Sequence, residues 1–176
     1  MPYIMQEQRR TKMKQSYEII TLDLASRDIT NVHLIEPLKP QSYLNAKPYR
    51  ILDVDVTRDY TTLKGYAEDA KKSYEMTGKI KDPFLRRAGK WWIELRDYRN
   101  YSDYTIYNLK AKLQTQLGTS DIDCKDLYGD VSVKLINWEF GERQGLSWKL
   151  NNFNFKKIKN KDDLLKDSPE PPKINF

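Results

Sequence analysis

The sequence predicts a mainly β domain with one helix and long loops. Three observations carry that expectation. Residues 128–158 form two alternating runs around a Gly-containing turn, the pattern of a β-hairpin. Shorter runs rich in β-formers recur at 17–24, 31–35, 49–56 and 90–96. Only residues 61–77 show a sustained helical period.

The hairpin is the best-defined element. Val131, Val133 and Leu135 point one way, and Ser132, Lys134, Ile136, Trp138 and Phe140 the other, because strand side chains alternate with period 2. Gly141-Glu142-Arg143-Gln144-Gly145 supplies the turn. In the second run Leu146, Trp148 and Leu150 share one face, and Ser147, Lys149 and Asn151 the other. Phe153 and Phe155 continue in the phase of Asn151 unless a bulge intervenes. One face therefore mixes Lys, Asn, Trp and Phe. Aromatic residues in strands mostly fill cores. The other reading is a surface for single-stranded nucleic acid, on which rings stack against unpaired bases and cations hold phosphates. One hairpin cannot bury Trp138, Phe140, Trp148, Phe153 and Phe155 in one place.

These residues also carry a resemblance. Tyr128-Gly129 opens the first strand, and Gly145-Leu146-Ser147-Trp148-Lys149-Leu150-Asn151-Asn152 opens the second. The stretch resembles the C-terminal hairpin of phage and viral single-stranded-DNA-binding proteins of OB-fold type, over about thirty residues. The resemblance implies an OB-fold-like barrel, single-stranded DNA as partner and a role in viral or phage DNA replication or recombination. In the N-terminal half it rests on length and order alone.

Composition agrees with a polyanion-binding protein. The 176 residues carry a net charge of +6, with 12 Tyr and 4 Trp. The mean hydropathy of −0.81 indicates much polar surface. Cys124 is the only cysteine, so an intrachain disulfide is ruled out, as suits a reducing compartment. No apolar run approaches the ~20 residues that span a membrane, and no signal peptide is evident. The expectation is a cytoplasmic protein, in the host cell interior, with no membrane partner.

In chain order, residues 1–15 are polar and basic and read as a flexible arm. Residues 16–161 form the expected DNA-binding domain. Tyr17–Leu24 and Asn31–Ile35 read as two strands, and Pro37 and Pro40 end the second. In Tyr49–Val56, Leu52, Val54 and Val56 face one way, Asp53 and Asp55 the other. Two carboxylates so spaced suit Mg²⁺ in a nuclease, although the spacing recurs often on solvent faces. The helix expected over 61–77 presents Leu63, Tyr66, Ala67, Ala70 and Tyr74, with Gly78 ending it. Residues 79–90 are cation-rich and contain Pro83, so they read as a basic loop with Phe84 at its tip. In the strand 90–96, Trp91 shares a face with Ile93 and Leu95. Trp92 shares the other with Glu94 and Arg96, which makes it the stacking candidate. Residues 97–104 are dense in Tyr, Arg and Asn, and 104–113 read as a strand passing into a short helix or turn.

Residues 162–176 form a Pro-rich acidic tail, with four carboxylate side chains against two Lys. It resembles the acidic, Phe-ending tails of single-stranded-DNA-binding proteins, which implies replication or recombination proteins as partners. It is shorter and less acidic than those, and Lys173 sits beside the Ile174 and Phe176 tip.

No enzyme is expected. His33 is the only histidine, and no nucleophile elbow, phosphate-binding loop or zinc-ligand spacing occurs. No catalytic residue, metal ligand or cofactor is assigned. The candidate nucleic-acid-binding residues are Trp92, Arg96, Arg99, Tyr101, Lys134, Trp138, Phe140, Trp148, Lys149 and Phe153. A Mg²⁺-dependent nuclease and a virion structural or interaction module are the alternatives. Site size, DNA-versus-RNA preference and oligomeric state, self-association included, stay open.

Overall fold

Six strands and two helices follow in the order β1 (Gln15–Leu38), β2 (Tyr49–Asp55), α1 (Tyr60–Ser73), β3 (Leu85–Arg87), β4 (Lys90–Asp97), α2 (Asp103–Leu117), β5 (Leu127–Phe140) and β6 (Arg143–Ile158). The structure, a computed structural model, describes residues 15–40 and 47–159. The expected tail, and the arm up to residue 14, lie outside the described residues.

Five strands close a barrel in the order β1-β2-β4-β6-β5 and back to β1. All neighbours are antiparallel except β4 and β6, which meet in parallel at Leu95 and Trp148. The β5–β6 hairpin expected from the sequence is the longest ladder, and it runs from Leu127–Ile158 to Phe140–Arg143, so the turn is Gly141-Glu142 and not the five residues Gly141 to Gly145. This closed barrel, with α2 between its third and fourth strands, is OB-fold-like.

The long β1 replaces the two short strands expected over 17–35. One strand serves two neighbours. Its first half pairs with β5 and its second with β2, and Ile29 faces Leu127 on one side and Val54 on the other. Such a strand must bend. It does so through left-handed backbone at Ser26 (φ 59°) and Asn31 (φ 52°) and through register shifts along both ladders. The Asp123 carboxylate fastens its far end by accepting from the backbone N–H groups of Leu34, Ile35 and Glu36 at 2.8–3.0 Å.

Alternation fills the barrel. Leu52 and Val54 of β2, Ile93 and Leu95 of β4, and Val131, Val133 and Leu135 of β5 all face inward and are buried. In β6 a bulge intervenes and overturns the expected phase of Phe153 and Phe155. Ser132 pairs with Asn152 but Val133 with Leu150, so Asn151 is the extra residue. The phase flips there, and Phe155 points into the core instead of outward.

Helix α1 buries Leu63, Ala67 and Ala70. It stops at Ser73, earlier than Gly78 suggests. Glu75 takes the left-handed C′ position (φ 47°), with Met76 N–H donating to Lys71 O and Glu75 N–H to Lys72 O. That is a Schellman termination formed without glycine. Helix α2 corrects the strand expected over 104–113 and makes two helices where one was expected. Ser102 Oγ caps it by accepting from Thr105 N–H at 3.1 Å, and Gly118 ends it at φ 74°. Ile106, Leu109, Leu113 and Leu117 form its apolar stripe. The stripe is narrow, and only Leu113 is fully buried. Phe84 is also corrected. It is buried against Tyr60 and Trp148 and is no loop tip.

Candidate nucleic-acid interface

The outward faces of β2 and β4 meet at one end of the barrel. Arg50 and Asp97 are cross-strand partners there, so Tyr49, at the start of β2, stands beside Tyr98, just past β4. Their rings lie 5.3 Å apart at 49°. The Arg96 guanidinium lies over the Tyr49 ring, 4.6 Å from its centre. It donates to Tyr98 Oη at 3.3 Å and twice to Glu94 Oε2 at 3.0–3.1 Å. On the next strand, Lys149 Nζ donates to Arg96 O at 2.9 Å and lies 5.7 Å from the Tyr98 ring. Lys149 in turn faces Lys134 across the hairpin, whose Nζ reaches Glu18 at 3.3 Å. Two tyrosine rings and three cations thus run across β2, β4, β6 and β5 on one outer surface. Flat rings beside cations suit unpaired bases and phosphates.

Beneath this row a second network closes the barrel end. The Arg50 guanidinium lies 3.9 Å over the Tyr101 ring and donates to Leu34 O. Tyr101 Oη donates to Asp97 at 2.5 Å, and Arg99 donates to the same carboxylate through Nε, Nη2 and its backbone N–H. Burial works to raise the Asp97 carboxyl, but the bonds from Arg99 and Tyr101 outweigh it and hold it down to about 2. Tyr101 is pushed up by burial and by its bond to that carboxylate.

The structure therefore divides the residues singled out from sequence. Arg96, Lys134 and Lys149 come together. Arg99 is highly exposed at the edge of the row, and Tyr101 is part of its support. Trp138 is half-buried on the outer face of β5, with its ring lying on Gly145 of β6. Phe140 is exposed at the tip of the hairpin. Trp148 faces the barrel interior and is buried. Phe153 stacks on Phe155 at 4.3 Å beneath Lys112 of α2, so it serves helix packing. Trp92 does lie on the outer face with Glu94 and Arg96, but it is buried. The Arg87 guanidinium sits 4.9 Å over its ring, and its Nε1 donates to Arg87 O. Of the adjacent pair, Trp91 is the partly exposed ring, stacked on Tyr60 at 3.9 Å. The expectation that Trp92 is the open ring is thus corrected.

Sequence reasoning passed over Tyr49 and placed Arg87 only among the cations of the 79–90 loop. Tyr49 shares the phase of Asp53 and Asp55, which was a sufficient signal that it faces outward. Asp53 and Asp55 each face a cation. Arg87 donates to Asp53 at 3.1 Å, and Lys90 lies 3.7 Å from Asp55. Among the described residues no group of three or more His, Cys, Asp or Glu is placed to hold a metal ion. Among them, too, no helix is long and apolar enough to cross a membrane.

The fold, an OB-fold-like barrel, is similar to that of a phage single-stranded-DNA-binding protein. The C-terminally truncated single-stranded-DNA-binding protein of bacteriophage Enc34 superimposes with a TM-score of 0.52 at 11% identity, over 80% of this chain and 87% of that one. The same phage protein in complex with single-stranded DNA gives 0.48 at 10% identity, over 78% and 84%. Gp2.5, the single-stranded-DNA-binding protein encoded by bacteriophage T7, gives 0.37 at 12% identity, over 93% and 100%. At these identities the likeness is one of fold. No protein-family model matches the sequence, and no curated protein does.

Proposed function

We propose that this protein binds single-stranded DNA with little sequence preference, in viral or phage DNA replication or recombination. The observation that carries the reading is the row of Tyr49, Tyr98, Arg96, Lys149 and Lys134 on the outer face of the barrel. Tyr49 and Tyr98 stack on bases, and the three cations hold phosphates. Trp138, further along the outer face of β5, takes a further base. Stacking engages the π-face that every base has, so the surface reads little sequence. The curved sheet follows one flexible strand and leaves a stiff duplex few contacts. The net charge of +6 and the Enc34 fold support the same reading.

The protein acts by binding and carries no catalysis. A nuclease at Asp53 and Asp55 is less well supported, because Arg87 and Lys90 already occupy the space beside those carboxylates. The tail over 162–176 contacts replication or recombination proteins through Ile174 and Phe176. The test is a titration of intrinsic Trp fluorescence with dT oligomers, alone and annealed to a complement. Saturable binding of the single strand at concentrations where the duplex does not bind is the expected result.

A further inference from the structure

One side chain on the barrel face does more than the row described above requires. β4 carries β2 along one edge. Along its other edge it carries first β3, through Leu85 and Trp92, and then β6, through Leu95 and Trp148. Arg87 leaves β3 and crosses the outer surface of β4. Its Nη1 donates to Asp53 Oδ2 on β2 at 3.1 Å, and its Nη2 donates to Thr30 Oγ1 on β1 at 3.2 Å. In crossing, it covers Trp92, which is only 6% exposed although it stands on the outer face.

The strap is held unevenly. Asp53 is 1% exposed, while the Arg87 side chain is 47% exposed. Asp53 Oδ2 also accepts from Asn31 Nδ2 at 3.4 Å, but Oδ1 is buried with no hydrogen-bond partner. A buried carboxylate with one oxygen unsatisfied recovers only part of its desolvation cost, so exchanging the pair for a neutral, protonated Asp53 loses less than breaking a fully satisfied pair would. Its surroundings do not replace Arg87. Thr30 and Asn31 of β1 are neutral, Trp92 and Glu94 of β4 offer no cation, and Lys90 lies on the neighbouring Asp55. Burial already raises the Asp53 carboxyl, against the hydrogen bond from Arg87, and Glu94 adds to the rise. The guanidinium, in contrast, has a ready alternative partner in a phosphate, which it can bind in bidentate fashion.

We propose that Arg87 is a phosphate-binding residue held in reserve on Asp53, and that its transfer to the DNA backbone uncovers the Trp92 ring as a further base-stacking platform. This rests on the single-stranded-DNA reading above and extends its track along β4, from Arg96 past Glu94 to Trp92. When Arg87 leaves, Asp53 takes up a proton, because the neighbouring cation, Lys90, is engaged by Asp55. Binding therefore absorbs a proton, and affinity rises as pH falls from neutrality toward the ordinary carboxylate range.

The experiment measures oligo(dT) affinity against salt and pH for the wild type and three variants. Arg87→Met is expected to weaken binding by about tenfold and to reduce the slope of log K against log salt by about 0.7, the loss of one phosphate contact on a single strand. Asp53→Asn is expected to tighten binding roughly 3- to 10-fold, because the competent state no longer has to be released first. It should also abolish the pH dependence. Thr30→Val removes the second hydrogen bond to Arg87 at a partly exposed position. It is expected to tighten binding in the same direction, which keeps the test open should Asp53→Asn fold poorly. Wild-type binding with Arg87→Met unchanged in affinity and slope overturns this inference alone. So does a loosened strap, in Thr30→Val or a folded Asp53→Asn, that leaves affinity unchanged or lower. A wild-type chain that does not bind oligo(dT) overturns the underlying reading as well.

Discussion

Replacing Asp97 by Asn tests whether the barrel end supports the interface as described. In the folded chain the carboxylate accepts three hydrogen bonds from Arg99 and one from Tyr101 Oη, at 2.5–3.0 Å. These hold it at about 2, against an ordinary 3.8. At 1.36 kcal/mol per pH unit, that gap amounts to roughly 2 kcal/mol of stability from the ionised form. Arg99 is highly exposed, so solvent screening reduces the expectation to about 1–2 kcal/mol. The sign follows from the lowered value. The contribution is complete above the unfolded carboxylate pKa near 4 and is lost as pH falls through about 2. Urea unfolding of wild type and Asp97→Asn should therefore differ by about 1–2 kcal/mol at neutral pH, and the two curves should converge toward pH 2. Equal stabilities at neutral pH would refute the reasoning. So would a difference that persists unchanged at the acid end.

Four further outcomes are expected. Tyr98→Ala should weaken oligo(dT) binding by about 5- to 150-fold, the equivalent of roughly 1–3 kcal/mol, with little change in melting temperature. Trp148→Ala, in the barrel interior, should instead lose about 3–5 kcal/mol of stability by urea unfolding. Gly129→Ala would place a Cβ 2.5 Å from Asn154 O and 2.7 Å from Phe155 Cα, both backbone atoms of β6. It should destabilise the chain by roughly 1–3 kcal/mol, read from the same unfolding curves. Truncation after Lys161 should leave thermal melting unchanged and oligonucleotide affinity unchanged or slightly higher, since the removed carboxylates repel phosphate.

The hairpin was legible because a period of two over fourteen or more residues survives any local irregularity. The bulge at Asn151 was not, because one inserted residue reverses the phase without changing the composition. Phe155 entered the core for that reason, and Phe153 turned to the same side, where it is partly buried against it. Helix α2 was hidden because its stripe from Ile106 to Leu117 is narrow, while Tyr104, Ile106 and Asn108 imitate alternation. The bends of β1 fall on Ser26 and Asn31, and a bent strand reads locally as two strands with a loop between them. At the interface, parity placed Arg96, Lys134, Lys149 and Trp92 on the outer surface. Exposure depends on partners distant in sequence. Nothing local to Trp92 announces that Arg87 covers it by reaching across to Asp53, and Tyr98 acquires its neighbour from residue 49.

The most direct test of the central claim is a competition at several salt concentrations between a labelled dT oligomer and two unlabelled competitors, the same oligomer and a duplex of equal length. The account predicts displacement by the single strand at far lower concentration than by the duplex. It also predicts affinity falling steeply with salt, the three cations of the row alone contributing about −2 to the log–log slope. Equal displacement by duplex and single strand, or an affinity indifferent to salt, would contradict it.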